Sequence, residues 1–213
     1  LMGASKLAGS FCLLSGAAGS YCSVGSQYTM DPAIWSEHCE TVFLVGRNCS
    51  ATNPHIFPFL YRAKERGARL IVVDPYTTGV AAKADLHLRP RPGTDGAMAL
   101  GMIHWIIKQD LQDKAFLAEH TVGFAELAAL AEEWTPERTE EVTTIPKAQI
   151  IQAAELLATT KSHFETGYGQ QRYSNGHQAQ RALACLAAVC GSFGKESGNY
   201  NFISGMGFPN LTG

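Results

Sequence analysis

The sequence predicts an α/β protein with an open, mostly parallel, Rossmann-like sheet, flanking helices and additional helices. Two short apolar runs, Thr41-Val42-Phe43-Leu44-Val45 and Arg69-Leu70-Ile71-Val72-Val73, have the length and β-branched content of strands buried on both faces. A helical stretch from Pro54 to Arg66, stopped by Gly67, separates them and makes a strand–helix–strand unit. With 46% hydrophobic and 17% charged residues, the 213-residue chain can bury a substantial core.

The other elements follow in order. Residues 1–30 are rich in Gly, Ser and Ala with little periodicity, a pattern that favours loops and close backbone approach. Leu86-His87-Leu88 reads as a short third strand. Helices are expected at 95–109, 113–120 and 124–134, and Thr135-Pro136-Glu137 has the N-cap, first-turn proline and acidic residue of another helix start. A helix over 146–160 places Ile150, Ala153, Ala154 and Leu157 on one face. Ser162 to Thr166 is a strand, and Asn175 to Val189 a last helix whose stripe is Ala179, Ala182, Leu183, Leu186 and Ala187. From Gly191 onward the sequence is Gly-rich and reads as irregular.

Several function classes have nothing to support them. A formal charge of −2 gives no electrostatic reason to expect nucleic acid or an acidic membrane surface as partner. No run of about 18 apolar residues occurs, and no signal peptide is visible at Leu1-Met2-Gly3-Ala4. Both ends read as mid-protein sequence, so the compartment, cytoplasmic or periplasmic, stays open. The six cysteines form no Cys-x-x-Cys pair, which argues against a zinc ribbon or iron–sulfur cluster within this stretch, and a disulfide framework does not suit a chain this large. Most are read as small buried hydrophobes, Cys185 and Cys190 among them.

Four polar motifs each follow a strand, and ligands on open α/β sheets gather at the carboxyl ends of strands. Gly46-Arg47-Asn48 offers close backbone approach and an amide side chain, though a glycine there is ordinarily just a turn; it is not the Gly-x-Gly-x-x-Gly of a common dinucleotide site. Asp74 either accepts from both hydroxyls of a nucleotide ribose or caps the turn before Pro75. In Arg91-Pro92-Gly93-Thr94-Asp95 a stiff turn opens a helix. Its carboxylate could pair with the N1–H and exocyclic amine of guanine, while the simpler reading is an N-cap worth about 1 kcal/mol. The run Gly167-Tyr168-Gly169-Gln170-Gln171-Arg172-Tyr173-Ser174-Asn175-Gly176 combines glycines, amides, an arginine and aromatics in a way that suits an anionic, heterocyclic ligand.

The segments VFLVGRN, LIVVDPYTT, AAKADLHLRPRPGTDGAMALG, DKAFLAEHTVGF, TTIPKAQIIQAA and GYGQQRYSNGHQAQRALACLAAVCGSFGKESGN occur in that order. Their succession, over about residues 35–200, resembles the molybdopterin oxidoreductases of the dimethyl-sulfoxide-reductase type, a group with formate dehydrogenases and nitrate reductases. The resemblance implies that residues 36–213 form the α/β region holding one of two molybdopterin guanine dinucleotides, with residues 1–35 as a Gly/Ser-rich active-site segment. Gly46 and Asn48 would lie along the pyrophosphate or pterin and Asp74 on the guanosine ribose. Arg91, Gly93, Thr94 and Asp95 would surround the guanine, and Gly167, Gly169, Gln171 and Arg172 would face the pterin and metal. Two departures stand out: Cys49 where the family usually has proline, and Tyr76 where it often has arginine.

By the same resemblance a side chain some thirty residues before Gly46 completes the coordination of molybdenum or tungsten. Cys12 falls nearest, with Ser15 and Cys22 as rivals in the same segment, and a thiolate suits a metal already bound by sulfur. The implied chemistry is two-electron redox on a small-molecule substrate. Cys12, Gln171 and Arg172 would be the catalytic group, and electrons would pass to an iron–sulfur cluster, a subunit carrying one, or another electron-transfer protein. That cluster is expected in sequence preceding this stretch, and the stretch alone is expected to bind poorly and be inactive. The alternative is a relative of the same fold without molybdenum, acting as an iron–sulfur scaffold in a respiratory complex.

Overall fold

The structure, a computed structural model, describes residue 3 and residues 12–26 and 29–202. Five parallel strands, β1 (Thr41–Val45), β2 (Arg69–Val73), β3 (Leu86–Leu88), β4 (Ser162–Thr166) and β5 (Tyr200–Phe202), form one sheet in the order β3-β2-β1-β4-β5. Chain order reverses direction between β1 and β4, and that is where an open sheet forms a crevice at its carboxyl edge. The α/β architecture expected from the two apolar runs is the one observed.

Helices cover both faces: α1 (Leu13–Val24), α2 (Pro32–His38), α3 (Cys49–Thr52), α4 (Phe57–Glu65), α5 (Asp95–Lys108), α6 (Lys114–His120), α7 (Phe124–Glu132), α8 (Pro136–Thr143), α9 (Lys147–Thr159) and α10 (Gly176–Val189). Strand alternation sorts the core into two layers. Phe43, Val45, Ile71, Val73, Leu88 and Phe164 pack against α5, α9 and α10, while Val42, Leu44, Leu70 and Val72 pack against Trp35 on α2, Leu60 and Ala63 on α4, and Ile56 in the turn that precedes α4. Thr135 caps α8 as its sequence suggests, accepting from Arg138 N at 3.3 Å.

Three elements differ from the sequence reading. The Gly/Ser/Ala-rich segment is not all loop: residues 13–24 form α1. Glycine costs a helix up to about 1 kcal/mol per residue, but here Gly16 and Gly19 permit contact that no other residue allows. A Cβ at Gly16 would lie 1.6 Å from Gln171 Oε1, and one at Gly19 2.3 Å from the His177 carbonyl oxygen in α10. Tertiary packing thus offsets a poor propensity. Helix α2 was readable from Asp31-Pro32, since Asp31 accepts from Ala33 N at 2.9 Å with Pro32 in the first turn. The Gly-rich tail contains β5, whose three residues are too few to announce a strand by pattern and gain their pairing only from β4.

Candidate functional site

The tips of β1 and β4 touch. Gly46, at φ +57°, leaves β1 in the left-handed region, and its N–H donates to the Val73 carbonyl at 2.9 Å. Gly167 N donates to Val45 O at 2.8 Å and Gly169 N to Gly46 O at 3.0 Å. A Cβ on Gly167 would meet Gly46 O at 2.4 Å and Arg47 Cβ at 2.6 Å. These three glycines are required by the approach of one loop to the other; the Gly167 and Gly169 amides are consumed in it, and that of Gly46 in pairing with the end of β2. The amides of Arg47, Asn48 and Tyr168 form no hydrogen bond among the described residues.

Two buried acceptors are orphaned, one against Gly46 and the other against Gly16 of α1. Gln170 is 2% exposed; its Nε2 donates to Gln180 Oε1 at 2.7 Å, and its Oε1 has no partner. Gln171 is fully buried, its Nε2 donates to Cys12 Sγ at 3.3 Å, and its Oε1 is also unpartnered. A buried carbonyl oxygen without a donor costs about 1–3 kcal/mol, which a ligand offering N–H groups would relieve. Asn48 is half-buried, with its side-chain oxygen accepting from Ser50 Oγ at 2.5 Å.

On the β2–β3 side, the charge of Asp74 reaches Asp95. Asp95, the first residue of α5, is 5% exposed, and burial pushes its carboxyl up to about 6, with the charge of Asp74 adding to the rise against a lowering hydrogen bond from its own backbone N–H. Asp74 Oδ1 accepts from Tyr76 N at 2.9 Å, the turn-capping role that the sequence left open. Thr94 does not cap α5 through its side chain: its hydroxyl donates to Arg91 O at 2.6 Å and stiffens the turn instead. Gly93, at φ +83°, sits against the Tyr173 ring, and its carbonyl accepts from Asn175 Nδ2 at 3.0 Å. The 91–95 turn and the 167–176 loop, some eighty residues apart in sequence, are therefore docked together. Arg91 and Arg172 are exposed, and neither enters an ion pair among the described residues.

The expected ligand candidates do not share one loop. Cys12 stands at the start of α1 beside Gln171, and Ser15 is half-buried in the first turn. Cys22 is exposed and lies ten residues along the helix from Cys12, about 15 Å at the helical rise. It lines a separate cavity of about 740 Å³ with Phe116, Phe124, Leu127 and Cys185. Its walls are mainly apolar, and the converging polar groups are elsewhere. A second cavity, about 500 Å³, borders Gly93, Thr94 and Asn175. Cys49 is fully buried against Arg47, and burial drives its thiol up to about 11, while Tyr76 is 73% exposed. Cys22, Cys39, Cys49, Cys185 and Cys190 are free thiols, and no three His, Cys, Asp or Glu side chains gather among the described residues. No helix there is long and apolar enough to cross a membrane.

A glycine-lined switch point with open amides, a buried carboxylate and orphaned amide oxygens can hold a ligand that is partly anionic and partly a donor-rich heterocycle. A model of the molybdopterin oxidoreductase family matches residues 4–211, nearly the whole sequence. The chain belongs to the molybdopterin oxidoreductase family. Among its relatives, formate dehydrogenase H of Escherichia coli (strain K12) is 33% identical over 190 residues, which cover 89% of this chain and 27% of that one. Dimethyl sulfoxide reductase DmsA of the same organism is 33% identical over 188 residues, covering 76% of this chain and 23% of its own. In three dimensions, acetylene hydratase from Pelobacter acetylenicus superposes with a TM-score of 0.79 at 34% identity, over 86% of this chain and 25% of that one. The chain thus spans about a quarter of the length of these relatives.

Within this family fold the residues read from the sequence fall into contacting groups: Cys12 with Gln171, Gly46 with Gly167 and Gly169, and Gly93 with the 167–176 loop, while the charge of Asp74 reaches Asp95. Arg91 and Arg172 are not anchored to any of these groups. Sequence reasoning singled out neither Gln170, Tyr173 and Asn175 within the 167–176 run nor the pair His163 and Glu165. The last two had a visible signal, ionisable residues two apart in a strand buried at all five positions.

Proposed function

We propose that this chain is the cofactor-cradling portion of a molybdenum or tungsten enzyme that uses a bis-molybdopterin guanine dinucleotide for two-electron redox chemistry on a small molecule. The observation that carries the reading is the convergence of sequence motifs, separated by up to some 120 residues, on one edge of the sheet across the β1–β4 switch point.

The residues present fit such a group. Asp95 is a buried acceptor suited to the adjacent N1–H and amino donors of guanine, and Asp74, whose charge reaches it, suits ribose hydroxyls. The amides of Arg47, Asn48 and Tyr168 suit the pyrophosphate, and Gln170 Oε1 and Gln171 Oε1 suit pterin N–H donors. Arg91, exposed in the 91–95 turn, belongs to the guanine end in this reading, and Arg172, exposed in the 167–176 loop, to the pterin and metal end. Cys12 Sγ is the metal ligand in this reading, with Gln171 Nε2 donating to it and fixing its direction. When bound, the metal and its pterin supply the two-electron chemistry. An iron–sulfur cluster and an electron-transfer partner belong to the parts of the protein outside this stretch.

Metal and nucleotide analysis of the full-length protein tests the proposal. Stoichiometric molybdenum or tungsten, with guanine nucleotide released on acid treatment, is the expected result. Iron without molybdenum, tungsten or guanine would instead identify a scaffold relative of the same fold.

A further inference from the structure

Arg47 sits in the middle of the β1 tip, where an arginine ordinarily reads as an anion-binding side chain, yet it is only 8% exposed. Its Nη1 donates to Oε1 of Glu165, a fully buried carboxylate in β4. The other oxygen, Oε2, accepts from His163 Nε2 and from Asn201 Nδ2 of β5, both at 3.0 Å. The backbone N–H of Asn199 donates to His163 Nδ1 at 3.3 Å. With Nδ1 accepting, Nε2 carries the hydrogen that goes to Glu165. Trp35 stacks on the same ring, with centroids 4.5 Å apart and planes 12° from parallel. One guanidinium thus meets one carboxylate within a buried group. Burial by itself would raise the Glu165 carboxyl, but the His163 bond, the Arg47 charge and the Asn201 bond outweigh it and hold the carboxyl below its ordinary range.

Stability alone is a poor account of this arrangement, because apolar residues of similar volume usually hold strands together as well as a buried ion pair does. What the ion pair adds is direction. Arg47 is flanked by Gly46 and Asn48, and its Cα and Cβ fill the space that the missing side chain of Gly167 leaves, at 2.9 and 2.6 Å from where a Cβ would be. Drawing the guanidinium down onto Glu165 therefore sets the height of the β1 tip against the β4 tip. It also withdraws a charge from the crevice.

We propose that Arg47, Glu165, His163 and Asn201 are positioning residues that clamp the two strand tips together from beneath, so that the ligand at the switch point meets backbone N–H groups and not the Arg47 guanidinium. The inference rests on the reading of these tips as a cofactor cradle. Its test uses the full-length protein purified with its cofactor, and measures release of guanine dinucleotide from Glu165→Gln, Arg47→Met and the double variant at a temperature where circular dichroism shows each one folded. Leu44→Ala is the control: Leu44 is buried on the same face of the sheet, in register with Glu165, and makes no part of the clamp.

Each single variant is expected to release the dinucleotide at least about tenfold faster than wild type. The double variant should be faster by less than the product of the two factors, and Leu44→Ala should stay within about threefold of wild type. Wild-type release from both single variants overturns the proposal, as does an equal acceleration in Leu44→Ala, which would mean that any loss of packing loosens the site. Should Glu165→Gln fail to fold, Arg47→Lys keeps the charge while losing the planar fork, and accelerated or unchanged release from it decides the matter in the same way. A wild-type protein that purifies with no pterin at all overturns the cradle reading itself, an outcome distinct from unchanged release.

Discussion

Replacing Asp95 with Asn should move ligand retention and apo-protein stability in opposite directions. The carboxyl is 5% exposed and lifted from 3.8 to about 6 by burial and by the neighbouring Asp74. A carboxylate whose folded value lies above its unfolded one opposes folding. The penalty is absent below the unfolded value, grows between the two, and is complete above about pH 6. The lift of roughly two units corresponds to a penalty of about 3 kcal/mol, an upper bound on what Asn recovers because its amide is buried too. In the liganded protein the balance reverses. Loss of two charge-assisted hydrogen bonds to guanine costs about 3 kcal/mol or more, of order a hundredfold in retention. Protonation of Asp95 has the same consequence, so wild-type retention should fall about tenfold between pH 7 and pH 5, whereas the Asn variant should be flat. The assay is guanine nucleotide remaining per chain of full-length protein after dialysis across that range, with denaturant midpoints of the apo form at pH 8. An Asn variant that retains the nucleotide like wild type, or whose retention still falls below pH 6, refutes the assignment of Asp95 to guanine.

Two other perturbations test the same edge of the sheet. Gly46→Ala must place a side chain at φ +57° with its Cβ 2.3 Å from Gln170 Oε1; a stability loss of at least about 1–2 kcal/mol is expected in thermal unfolding, and an unchanged midpoint would show that the tip is not held as described. Cys12→Ala in the complete enzyme should alter the X-ray absorption of the metal and abolish most turnover, and an unaltered spectrum with full turnover would remove Cys12 as ligand.

Much of the fold was legible because burial imposes a period. The runs 41–45 and 69–73 are apolar on both faces, as only strands covered on both sides are, and the stripes of α9 and α10 match one helical face. Segments without a period were not legible. Helix α1 carries its apolar contacts through glycines, so its helicity depends on α10 and Gln171, partners more than 150 residues away, and β5 is three residues long. At the site, residue types and their positions after strands pointed to Gly46, Asp74, Asp95 and the 167–176 loop, because a sheet presents its loops at the carboxyl edge whatever their sequence.

What the sequence could not decide was the direction in which each group is turned. Gly46, Gly167 and Gly169 were read as room for a ligand, and the packed chain spends their amides on Val73, Val45 and Gly46 carbonyls. Thr94 was read as a guanine neighbour or, more simply, with Asp95 as a helix cap, and its hydroxyl braces the turn. Arg47 has the composition of an anion site and is drawn inward by Glu165. The identity of the elements follows from local pattern and burial, which one chain carries along its length. Orientation follows from which distant side chains complete each hydrogen bond, and β1, β4 and β5, brought side by side from 160 residues of chain, supply those only once the sheet has closed.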